Sequence, residues 1–68
     1  MTLREILYFC EHDDIFIHVR NYDTECEILS FWLSDWRDRS EHTRDYDDYQ
    51  VVGWAFEDGA LTLYLLLD

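Results

Sequence analysis

The chain has 68 residues, with sixteen carboxylates against five arginines and no lysine, for a formal net charge of −11. A chain this short builds one hydrophobic core at most, so residues 1–68 are read as a single small acidic domain. The charge excludes nucleic acid as a direct partner, because phosphates repel a surface of this sign. With no run of about 18 or more apolar residues, no membrane span is expected.

Acidic chains often stay unfolded for want of apolar surface. Here 49% of residues are apolar and 18% aromatic, which predicts a folded domain. The amino terminus carries Arg4 and Glu5 within its apolar run and lacks a small-residue cleavage site, so it does not read as a signal peptide. A reducing cytoplasm is the expected location. Two cysteines, Cys10 and Cys26, are too few for a disulfide framework. Cys10 falls in an apolar helical pattern and reads as a buried thiol. A bridge between the two stays open at this point.

Thr2-Leu3-Arg4-Glu5 fits a capping box, and Leu3, Ile6, Leu7 and Cys10 recur at helical spacing. This predicts a helix over 3–11, stopped by His12-Asp13-Asp14. Ile15, Ile17 and Val19 alternate with Phe16, His18 and Arg20, the period of a half-buried strand. Asn21-Tyr22-Asp23-Thr24 is turn chemistry, and a second strand follows over 26–32. Ser34 reads as the cap of a short helical turn over 35–38, anchored by Trp36. The polar stretch 39–48 reads as a loop.

Residues 50–56 and 61–67 are strand-like on either side of Glu57-Asp58-Gly59-Ala60, and Asp-Gly between apolar runs is a strong hairpin signal. Val52, Trp54 and Phe56 are expected on one face of that strand and Val51, Gly53 and Ala55 on the other. The fold class is α+β: an amino-terminal helix packed on a four-stranded, mostly antiparallel sheet, in the order α-β-β-(short α)-β-β. Two hairpins assemble in more than one way, so strand order stays open.

Chemistry at fixed spacing is hard to find. Cys10 and His12 are two apart on a helix and do not share a face, so no nucleophile meets a base. An EF-hand loop started at Asp45 would need glycine sixth and glutamate twelfth, where Gln50 and Phe56 stand. No zinc spacing and no phosphate loop occurs. The chain is therefore expected to be no enzyme and to need no cofactor or metal.

The acids fall in groups: Asp23, Glu25 and Glu27; Asp35, Asp38 and Glu41; Asp45, Asp47 and Asp48. One reading is a solvated face that keeps a small apolar domain soluble. The other is a cationic partner, since such charge costs stability by self-repulsion. Carboxylates alternating along a strand, as Asp23, Glu25 and Glu27 would, stand about 6.6–7 Å apart, near the spacing of phosphates on one DNA strand. The expected contact loop is Asp45, Tyr46, Asp47 and Asp48, with Asp35, Trp36 and Asp38 beside it and Asp23, Glu25 and Glu27 as a second patch. Trp36 and Tyr46 have an ordinary alternative as rings of a small core.

Thr2-Leu3-Arg4-Glu5-Ile6-Leu7, the strand Ile15-Phe16-Ile17-His18-Val19 and the closing hairpin Val51-Val52, Glu57-Asp58-Gly59, Leu61 resemble the short acidic accessory proteins of bacterial phages and prophages. Such proteins include anti-CRISPR and anti-restriction inhibitors, several of them acidic DNA mimics. The resemblance implies a non-enzymatic inhibitor that occupies the basic surface of a nucleic-acid-binding host defence protein, such as a nuclease. The alternative is a self-associating assembly domain: both faces of the last strand are apolar, and one helix covers one sheet face. Phe16 and Phe31 would then bury an open face against a second copy, as a homodimer.

Overall fold

The computed structural model describes residues 1–11 and 14–67, without the side chains of Ser40 and His42. The expected helix stop at His12-Asp13 lies outside the described residues. In chain order the elements are α1 (Leu3–Phe9), β1 (Phe16–Asn21), β2 (Glu27–Trp32), α2 (Leu33–Asp38), a 3₁₀ turn (Ser40–Thr43), β3 (Gln50–Glu57) and β4 (Ala60–Leu66). The fold is the expected α+β arrangement, and its four strands form one sheet in the order β2-β1-β4-β3.

The two hairpins meet through β1 and β4, which run parallel, while both hairpin pairs are antiparallel. A parallel pair needs a crossover. Residues 33–49 supply it, carrying the chain from the β2 edge to the β3 edge. In this order the leucine-rich β4 and the Ile17/Val19 strand take the two central places. Cross-strand partners share a face, so Ile17, Val19, Phe31, Leu63 and Leu65 line up beneath the helices. They form one buried cluster with Leu3 and Leu7 of α1 and Leu33 and Trp36 of α2.

Both helices lie on this face. Phe31 therefore belongs to the covered side, not to the open one, while Phe16 remains on the open side. A bulge at Val52 also revises the pattern expected of β3: Val51 pairs with Leu65 and Trp54 with Leu63, so both look toward the helix side. The second hairpin turns as read. Asp58 and Gly59 have φ of 53° and 77°, the two left-handed residues that a tight two-residue turn requires.

The capping box forms as the sequence predicts. Glu5 N donates to Thr2 Oγ1, and Thr2 N donates to Glu5 Oε1 at 2.9 Å. These bonds, that from the Thr2 backbone foremost, hold the Glu5 carboxyl below its ordinary value of 4.5. A carboxyl lowered in the folded state stabilises the fold above its ordinary range, and that contribution is lost as pH falls through the lowered value. Glu5→Gln is thus expected to lower the urea midpoint at neutral pH and to match the parent in acid. A gap that persists unchanged in acid would contradict the capping role. At the other short helix the expected cap fails, for α2 begins at Leu33, one residue before Ser34, with no side-chain cap bond.

Candidate functional site

A helix of seven residues needs its first N–H groups satisfied from outside. At α1 the stretch expected to be a free acidic loop does this. Leu3 N donates to the Tyr49 carbonyl at 3.1 Å and Arg4 N to the Asp47 carbonyl at 3.2 Å. The loop is laid across the end of α1 and is part of the fold.

Asp47 is the centre of this contact. Its side chain is 5% exposed, accepts from Arg4 Nη2 at 2.9 Å through Oδ2, and accepts from Thr43 Oγ1 through Oδ1. Thr43, fully buried, accepts in turn from Trp36 Nε1 at 2.7 Å. A chain of polar contacts thus runs Trp36–Thr43–Asp47–Arg4, tying α2, the 3₁₀ turn, the loop and α1 together. The Asp47 bond and charge push the Arg4 guanidinium further up from its ordinary value.

Two expected contact residues therefore face inward. Asp47 offers its charge to Arg4, and Trp36 is 2% exposed in the core, with the Tyr8 ring edge-on to it at 5.2 Å. Tyr46 is half-buried and packs against the core beside Tyr49. Asp35, Asp38, Asp45 and Asp48 are exposed; Asp35 lines a pocket with Phe16, Ser30 and Trp32, while Asp45 and Asp48 lie in the loop on either side of Asp47. Arg37, Arg39 and Arg44 are interspersed among them. Arg37 is drawn to the Cys10 carbonyl at the end of α1.

The second patch is exposed throughout, but its residues do not alternate along a strand. Asp23 and Glu25 sit in the β1–β2 turn, Glu25 with a left-handed φ of 60°, and only Glu27 belongs to β2. Asn21 shapes this turn: its Oδ1 accepts from Asp23 N and its carbonyl from Glu25 N. The phosphate-like strand spacing is therefore absent. Glu27 is bonded to His18 Nδ1 at 2.6 Å across the open sheet face. The β1–β2 turn lies at the same end of the sheet as the start of β3, so Asp23 and Glu25 share that end with Asp48, whereas Asp35 follows the other end of β2.

The open face carries Phe16, His18 and Arg20 of β1, Trp32 of β2, and Thr62, Tyr64 and Leu66 of β4. Phe16 packs edge-on to Trp32 with centroids 5.1 Å apart. Both cysteines are free, and burial pushes the Cys10 thiol up, which keeps it protonated and a poor nucleophile at neutral pH. Among the described residues no cluster of three metal-ligating side chains forms.

The spacing of the contact chain centred on Asp47 is visible in the sequence: Trp36, Thr43 and Asp47 are separated by seven and four residues, a helical rhythm that carries on from the short helix into the polar stretch 39–48. No protein-family model matches the chain, and no curated protein or solved structure does so significantly. No helix is long and apolar enough to cross a membrane.

Proposed function

We propose that the protein acts by binding rather than catalysis, as an acidic inhibitor that docks on the basic, nucleic-acid-binding surface of another protein, in the manner of phage-encoded inhibitors of host defence nucleases. The observation that carries this reading is charge density. A net charge of −11 on a body whose longest extent is 28 Å is roughly one charge per 2.5 Å, against about one per 1.7 Å of duplex axis.

The contact residues on this reading are Asp35, Asp38, Asp45 and Asp48, with Asp23, Glu25 and Glu27 as the second patch. Tyr49, 38% exposed beside the loop, supplies the ring expected of Tyr46 and can stack on arginine. Asp47 and Trp36 serve by holding the loop in place. Docking of this kind is steered by long-range attraction and weakens as salt screens it. The test is capture of bacterial proteins on the immobilised chain, with the charge-reversed variant Asp35→Lys/Asp38→Lys/Asp45→Lys/Asp48→Lys run alongside. A nucleic-acid-binding protein retained by the parent at low salt, released at high salt and ignored by the variant supports the reading. A bound set indifferent to salt and to the reversal overturns it.

A further inference from the structure

We propose that the free edge of β3 pairs antiparallel with β3 of a second copy, about a two-fold axis at Trp54. A β-sheet edge presents unpaired backbone donors and acceptors that another strand satisfies. The first part of this edge is already taken: Val51 N donates to the Met1 carbonyl at 2.8 Å, and Thr2 forms a bridge with Gln50. That leaves 52–57, an uncharged run up to Glu57, with Trp54 70% and Phe56 56% exposed.

The occupant follows from the pattern of this segment. Antiparallel partners across a two-fold normal to the sheet share a face, so one residue must stand opposite itself. With Trp54 in that place, Gly53 meets Ala55 of the second copy, small against small, and Val52 meets Phe56. Glu57 then lies just beyond the paired run, level with Val51, whose edge N–H Met1 already holds, and the two Glu57 side chains are six residues apart along the seam, about 20 Å. That exceeds the screening length of about 10 Å at 0.1 M salt, so the two Glu57 charges oppose association little; the nearer acid is Glu25, which lines a pocket with Gly53 and Trp54. Stacking the open faces would instead bury Arg20, whose Nε is already buried without a hydrogen-bond partner among the described residues, together with the His18–Glu27 pair. Burying charges against their symmetry mates is costly. The edge is the cheaper seam.

Such a seam is narrower than a standard interface of about 800 Å² per partner, so the dimer dissociates on dilution. Each copy carries −11, so added salt strengthens it by screening. This response is opposite in sign to that of docking on a basic partner, and the two proposals stand or fall separately. Sedimentation velocity over a dilution series, at low and high salt, is the experiment. The parent is expected to dimerise, more tightly at high salt. Trp54→Glu and Trp54→Arg, at an exposed position that leaves the fold intact by circular dichroism, are each expected to raise the dissociation constant at least about tenfold. Mixing the two variants restores a heterodimer, because opposite charges then face across the axis. Trp32→Glu, on the open face, leaves the dimer unchanged. A parent that stays monomeric at high concentration and high salt, a mixture that does not associate, or a dimer lost on Trp32→Glu but kept on Trp54→Glu overturns the proposal.

Discussion

Replacing Asp47 with alanine is expected to destabilise the protein by about 3 kcal/mol, far more than replacing any other carboxylate of the loop. The substitution leaves the buried Thr43 hydroxyl without its acceptor and removes the carboxylate that Arg4 approaches at 2.9 Å. Because Thr43 also accepts from Trp36 Nε1, the loss reaches the core contact of α2. Asp47→Asn keeps an acceptor for Thr43 and is expected to cost markedly less, since the half-exposed Arg4 side chain makes the ionic part weak. Asp45→Ala, at an exposed position, should stay within about 0.5 kcal/mol of the parent. Urea midpoints for the three variants decide the matter. If Asp47→Ala behaves like Asp45→Ala, the contact chain does not hold the loop.

The second large effect is on binding. Reversing Asp35, Asp38, Asp45 and Asp48 to lysine changes the net charge from −11 to −3, each substitution adding two units. Its affinity for a basic partner is expected to fall at least about a hundredfold, with a flatter dependence on salt. The fold should survive, because all four side chains are exposed: Asp35, in the first turn of α2, loses a few tenths of a kcal/mol of favourable helix-end interaction, and Asp48 loses an attraction to the half-exposed Arg4 that solvent already weakens. Asp47 is left out of the set on purpose: reversing it would unfold the loop and confuse lost binding with lost structure. A parallel variant, Asp23→Lys/Glu25→Lys/Glu27→Lys, reports on the β1–β2 turn. Equal tolerance of both variants would leave the acids as solvation only.

Local chemistry was legible in the sequence where it is decided locally. Thr2 and Glu5 face each other within one helical turn, and Asp58-Gly59 meets the backbone demand of its turn without outside help. Period-2 alternation placed Ile17 and Val19 inward and His18 outward. What was not legible depends on contacts far apart in sequence. Asp47 is a polar residue among polar neighbours, and only Arg4, 43 residues away, together with Thr43 makes its burial affordable. Trp36 was visible as an anchor of α2, but whether it faced core or partner depended on where the crossover lay. The parallel junction of β1 and β4 follows from how two hairpins dock, which neither hairpin encodes. The bulge at Val52 shifted the face of Val51, because one inserted residue changes the alternation beyond it.

On the proposed reading the acidic surface competes with nucleic acid for one site on a basic protein. The most direct test measures whether a captured partner can hold duplex DNA and this protein together. Mutual exclusion is expected: rising DNA displaces the protein, rising protein displaces the DNA, and no ternary complex appears in sedimentation or gel-shift profiles. A stable ternary complex, with DNA affinity unchanged by saturating protein, would contradict it.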